Sequence, residues 1–359
     1  MAAMVLTGHG GLDKLVYRDD VPVPRPGAGE VLIEVAACGV NNTDLNTRTG
    51  WYASSVREAM TPDIGLKGLP GGDVRTWGGT PLAFPRIQGA DGVGRIVAVG
   101  EGVDLARVGE RVLVDPCVRD PALPARAQGV VYIGSERDGG YAEYMAAPSA
   151  NAHAVRAALS DAELACFACS YSTAEEMLVR LAVRAGESVL VTGASGGVGV
   201  AAVQLAKARG ARVIAVAGAP KAAALRALGA DHVVERDHPD MAQAAKAVAG
   251  AVDAVVDVVG GAIFPQLIRS LRRAGRYASA GAIAGPIGEL DLRDLIYRDL
   301  EMYGIANPQV STFERLVRLI EEGAVKPVIA RTFPLAELRA AHAAFVEKAH
   351  VGKIVILCR

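Results

Sequence analysis

Residues 188–200 read SVLVTGASGGVGV, an apolar run into a glycine cluster, followed by the helix-like VAAVQLAKARG (200–210). Strand, glycine turn and helix in that order make a site for the phosphates of a dinucleotide. Gly196 permits the tight turn, and Gly197 and Gly199 remove side chains where pyrophosphate nears the backbone and helix packs on strand. Ser195, Gly196, Gly197 and Val198 would then offer free N–H groups and the positive end of the helix to the phosphates. Ala194 replaces the first glycine of the fingerprint, so the strand–turn–helix context carries the reading.

The next apolar run, RVIAVA (212–217), ends without the acid that would hydrogen-bond a ribose 2′-hydroxyl; Val213 to Pro220 contains no Asp or Glu. Such an acid would also repel a 2′-phosphate. Here Gly218 makes room, and Lys221, with Arg236 after the next strand, can neutralise a phosphate dianion. The expected cofactor is NADPH. The plainer reading of Lys221 is a solvated residue in a first helical turn.

These groups need two kinds of scaffold. Residues 31–40 (VLIEVAACGV), 94–100 (GRIVAVG) and 111–118 (RVLVDPCV) are short β-branched runs punctuated by Gly and Pro, whereas from about Ser160 strands and Ala-rich helices alternate. Strands near 188–192, 212–217, 232–234, 252–258, 276–279 and 301–305 predict a doubly wound parallel sheet. Helical segments follow at 312–323 and 335–348, then a terminal strand, GKIVIL (352–357). Between Tyr52 and Ile87 lies a Pro/Gly-rich stretch whose Trp77 and Phe84 suggest that it folds over something apolar. With 359 residues, a net charge of −1 and 51% apolar residues, the chain is expected to form two domains and to bind neither nucleic acid nor an anionic membrane. No apolar run is long enough to span a bilayer, five cysteines do not suggest a disulfide framework, and the expected compartment is the cytoplasm. Cys166 and Cys169 form C-x-x-C in an Ala-rich helix approach without a second pair, which reads as buried structural cysteines.

ACGVNNTD (37–44), IQGADGVGRIVAVGEGV (87–103), GGYAEYMAA (139–147), TGASGGVG (192–199), LGADHVV (228–234), VDVVGG (256–261) and GKIVIL together resemble the medium-chain dehydrogenase/reductase superfamily, in its order and spacing. The resemblance spans nearly the whole chain except 53–86. It implies a fold of class α/β: a GroES-like β-rich catalytic domain, residues 1–155 and 307–359, interrupted by a Rossmann domain, 156–306, with the active site in the cleft between them. The expected assembly is a homodimer.

The zinc-dependent alcohol dehydrogenases of this family hold a catalytic metal with Cys, His and Cys. The matching positions here are Asn41, Ala90 and Cys169, and the structural zinc lobe is reduced to Cys117. One thiolate cannot make the usual site, so no zinc is expected, and Asp44 and Asp91 match supporting acids of the zinc enzymes. Without a Lewis acid, hydride addition to a conjugated C=C is easier than carbonyl reduction, because hydrogen-bond donors can stabilise the enolate. The metal-free branches reduce quinones, enones and enoyl thioesters. VNNTDLNTRTGWY (40–52) is similar to the enoyl-thioester reductase segment and puts Tyr52 where a tyrosine donates to the substrate; the alternative is a packed aromatic at the start of the loop. The resemblance also places Asn41 and Thr43 beside the nicotinamide ribose, Thr173 against the nicotinamide from the other domain, and Ser279 to Ala282 (Gly281 included) and Gly304 to Ala306 at its border. The six histidines match no catalytic position and read as surface or helix residues. The expected function is a zinc-independent NADPH-dependent reductase of a small enone, quinone or enoyl substrate. The alternatives are an alcohol dehydrogenase or carbonyl reductase, and a nucleotide-binding protein with little turnover.

Overall fold

The computed structural model describes residues 1–69, 81–120, 122 and 130–359. Six parallel strands form one sheet in the spatial order His232–Glu235, Arg212–Ala217, Ser188–Val191, Val252–Asp257, Leu271–Ser279, Glu301–Gly304. Ser188–Val191 is buried on both faces, as β-branched runs in a helix-covered parallel sheet must be. Strand order reverses beside this first strand, and the crevice at such a switch point is where doubly wound sheets take ligands. Helix Gly197–Ala208 starts there and buries Val200 to Ala206. It ends ahead of Gly210, whose φ of 78° is the left-handed conformation that closes helices.

The second sheet is built from the two ends of the chain. Its strands run Ala152–Ala154, Arg111–Val114, Asp91–Val99, Glu30–Gly39, Lys353–Leu357, Ile329–Pro334, with Tyr144–Pro148 also on Glu30–Gly39. The terminal strand Lys353–Leu357 thus lies between the first long strand and the tail strand. The segment RVLVDPCV is two strands, Arg111–Val114 and Cys117–Arg119, because Pro116 has no N–H for a ladder. Helix Val310–Glu321 turns Phe313, Leu316, Val317 and Ile320 into the apolar cluster that also holds Phe167, Tyr171 and Met177, and the chain rejoins the β-rich sheet at Ile329. No helix among the described residues is long and apolar enough to cross a membrane.

Phe84 packs, as expected, against an apolar cluster, that of Leu6, Leu15 and Ile87, and meets His9 edge-on with ring centroids 4.7 Å apart. Trp77 lies outside the described residues. The described part of the 53–86 stretch reaches across to the parallel-sheet domain, where the Met60 N–H donates to the Ile283 carbonyl at 2.8 Å.

Candidate active site and nucleotide cleft

A cleft of about 410 Å³ opens at the switch point, lined by Ser195, Gly196, Gly197, Val198, Gly218, Lys221 and Arg236, with Asn42, Ile283, Ala284, Phe345, Lys348 and His350 closing it from other elements. Gly196 is the N-cap of helix Gly197–Ala208 and brings no side-chain cap, so the first-turn N–H groups keep their capacity for an anion. The glycines differ in what they make possible. A Cβ on Gly196 would meet nothing closer than 3.5 Å, whereas one on Gly197 would strike Ser170 Oγ at 2.4 Å and Lys353 Cδ at 2.9 Å. Gly199 would hit the Gly193 carbonyl at 2.2 Å. Gly197 therefore allows the two domains to close on one another, and Gly199 lets the helix sit on its turn.

Lys221 Nζ donates to Ser195 Oγ at 3.1 Å and to the Lys348 carbonyl at 2.5 Å. Burial and the Arg236 charge both lower its pKa. Arg236 is exposed and touches Asp237 at 3.4 Å, and Asp237 also lines the cleft. An open, glycine-walled cleft with a bare helix N-terminus and Lys221 and Arg236 on one rim fits a dinucleotide. Thr173, Ser279, Gly281 and Ala306 are not among its lining residues. The Thr173 hydroxyl turns back to the Cys169 carbonyl at 2.7 Å, and the Ser279 hydroxyl donates to the Gly281 carbonyl at 3.3 Å. A Cβ on Gly281 would meet the Val258 carbonyl at 2.8 Å, so packing on the neighbouring strand accounts for that glycine. Ala306 is exposed.

Behind the cleft, Asn41 is the buried N-cap of helix Asn42–Thr49. Its Nδ2 donates to Asp91 Oδ2 at 2.9 Å, and its Oδ1 accepts from Lys353 Nζ at 2.6 Å and Ser170 Oγ at 3.3 Å. Lys353 Nζ also donates to Asp91 Oδ2 at 2.7 Å and to the Val40 carbonyl at 2.9 Å. Asp91 Oδ1 accepts the Cys169 N–H at 2.6 Å. The three side chains are buried. Burial alone would lower the Lys353 pKa, but Asp91 carries it above the ordinary value. Ala90 packs with Cys117, Tyr132 and Cys169; the Tyr132 hydroxyl donates to Cys169 Sγ at 3.3 Å, and burial pushes the Cys169 thiol up to about 12. Cys166 is pushed up to about 12 for the same reason, so neither is an activated thiol. An engaged amide, an alanine and a single thiol do not make the usual three-ligand zinc set, and among the described residues no three His, Cys, Asp or Glu are grouped to hold a metal ion.

Tyr52 is half-buried, and its hydroxyl is in hydrogen-bonding contact with the side chains of Thr43 and Asn46. Burial raises its pKa, which keeps the proton on. Asn46 Oδ1 is buried and has no partner among the described residues. Asp44 accepts the Asn41 N–H at 2.8 Å and the Tyr141 hydroxyl at 2.9 Å, and burial lifts it to about 6; it supports the helix start. Sequence reasoning missed Lys353, Lys348, Asn42 and His350. His350, read as a surface or helix residue, lines the cleft, and His342 is a helix residue with no exposed surface.

The family model for the alcohol dehydrogenase GroES-like domain matches residues 27–157, and that for the zinc-binding dehydrogenase matches 197–322. The chain is 29% identical to a quinone oxidoreductase of Rattus norvegicus, over 99% of this chain and 98% of the relative. It is 30% identical to an acryloyl-coenzyme A reductase of Metallosphaera sedula, over 99% of both. A solved structure of a candidate alcohol dehydrogenase from Sinorhizobium meliloti 1021 superposes with a TM-score of 0.88 at 50% identity, covering 99% of this chain and 96% of the other. With this fold, this cleft and these relatives, the chain belongs to the medium-chain dehydrogenase/reductase superfamily of oxidoreductases.

Proposed function

We propose that the chain is a zinc-independent, NADPH-dependent reductase of a conjugated double bond in an enone, quinone or enoyl substrate. The observation that carries this reading is the pairing of Asn41 with Asp91 and Lys353, next to Ala90. Those positions hold an ammonium–carboxylate–amide knot in place of metal donors, so a substrate carbonyl would be polarised by hydrogen bonds. The protonated Tyr52 hydroxyl, beside Thr43 and Asn46, is the donor we assign to the oxygen that gains charge when a conjugated system is reduced; a donor of this kind is effective at an enolate. The dinucleotide, when bound, supplies the hydride. Lys221 and Arg236 on the cleft rim, with Gly218 between the strand and Lys221, favour the 2′-phosphorylated form. The names of the quinone and acryloyl-coenzyme A relatives agree with a conjugated acceptor. Steady-state oxidation of NADPH with enones, quinones and enoyl thioesters, run beside simple ketones, tests the reading. Turnover of the conjugated set is expected. Turnover of ketones alone, or of none, would overturn it.

A further inference from the structure

Asn46 is an amide at a buried position inside a helix. It lies within Asn42–Thr49 and is 6% exposed, where an apolar residue would be the better helix former and the cheaper group to bury. Two parts of it hold the segment that carries Tyr52. Its backbone carbonyl accepts the N–H of Gly50, the left-handed C-cap with φ of 81°, and that of Trp51 at 2.9 Å. The chain thus turns back at the helix end, and the phenol returns to the face that holds Thr43 and Asn46, three positions apart. There the Asn46 side chain meets the Tyr52 hydroxyl, as does that of Thr43. The Thr43 hydroxyl can give or take a hydrogen bond, but Asn46 Nδ2 can only give one. The other end of the amide, Oδ1, is buried and unpaired among the described residues. An amide kept for packing alone would pair both ends. Leaving one unpaired costs stability, and the contact with Tyr52 is what remains to account for it.

We infer that Asn46 is a positioning residue of the reduction: its amide donates to the Tyr52 oxygen and so turns the phenolic proton away from the helix, toward the substrate oxygen. The inference rests on Tyr52 being the donor, as in the function proposed above. A phenol oxygen that already receives an amide N–H keeps its own proton free to donate. A donor fixed before the substrate arrives needs no reorganisation as charge develops. Without the amide, the hydroxyl is free to rotate and to donate to Thr43 instead.

The test is kcat of the full-length protein for one enone at saturating NADPH, with Asn46→Leu and Asn46→Asp, each made in the parent and in Tyr52→Phe. Asn46→Leu is expected to lower kcat roughly 3- to 10-fold, the worth of one neutral hydrogen bond, and to cost nothing further once Tyr52 is Phe. Asn46→Asp is nearly isosteric, which guards against misfolding of the leucine variant. Its carboxylate accepts the phenolic proton, so kcat falls at high pH. It recovers as pH drops toward about 5, where the protonated acid can donate again. The parent, which shares Asp44 and Cys169, the titratable groups whose charges reach Tyr52, is the reference for that slope. A parent-like Asn46→Leu, the same loss in both backgrounds, or an Asn46→Asp loss that does not change with pH would overturn the inference and leave the Tyr52 reading standing. A parent-like Tyr52→Phe would remove the Tyr52 reading itself, and the inference with it.

Discussion

Two lysines five positions apart on the tail are treated in opposite ways. Lys353 is buried against Asp91 and Asn41, with a matched acceptor in each direction. Lys348 lines the cleft without an ion pair among the described residues and sits beside Lys221. A buried charge that is already paired holds architecture together, and here it joins the terminal strand, the Asn41 helix cap and the strand that begins at Asp91. A cation left without its opposite marks where a ligand of the opposite charge belongs.

The paired lysine is where the largest effect is expected. Removing one partner of a buried ion pair leaves the other uncompensated, so Lys353→Met is expected to cost about 3–5 kcal/mol of stability, read by urea unfolding. A loss near that of an exposed pair, under about 1 kcal/mol, would mean that the knot is not structural. Next is Tyr52→Phe, which keeps the ring and removes one donor. Losing such a donor costs about 2.7–4 kcal/mol in the barrier, so kcat for an enone should fall by roughly a hundredfold or more while nucleotide affinity holds. A change within about threefold would make Tyr52 wall material. On the cleft rim, replacing Lys221 and Arg236 together by Met should weaken NADPH binding by about a hundredfold and NADH far less, from charge-assisted bonds of roughly 1.5–3 kcal/mol each. Isothermal titration of both nucleotides decides it.

The smallest effect is in pH. Lys348, faced by Lys221, His350, Asn42 and Phe345, is brought down to about 7 by burial and the Lys221 charge, and His350, lowered to about 4 by burial and these lysines, stays neutral. A bound phosphate favours the ammonium and raises its pKa. The contribution of Lys348 is therefore complete below pH 7 and declines as pH rises above it. NADPH affinity should drop by up to about tenfold between pH 7 and 9, and Lys348→Met should flatten that slope. A parent slope retained in the variant would move the titration to another group.

The parallel sheet was legible because its strands are short β-branched runs between Ala-rich helices, and the glycine turn that lines the cleft because its glycines cluster. Lys221 and Arg236 were legible for the same reason: each follows a strand of that sheet directly. Lys348 and Lys353 were not. They belong to the cleft and the knot only because the terminal strand inserts beside Glu30–Gly39, a pairing across more than three hundred positions that no local pattern encodes. The border of the cleft also shifted along the chain. Ile283 and Ala284 line it rather than Ser279 and Gly281, since the path of a turn after a strand depends on what packs against it, here the Val258 backbone. The stretch 53–86 reads as a loop in the sequence, but its described part holds helix Pro62–Lys67, and neither that helix nor the backbone bond to Ile283 was legible.

Reduction of a conjugated bond without a metal is checked by metal content measured alongside turnover. Elemental analysis of the purified protein, followed by NADPH oxidation with an enone before and after exhaustive chelation, is expected to find no stoichiometric zinc and an unchanged rate. About one tightly held zinc per chain, with activity lost on its removal and restored on its return, would contradict the account.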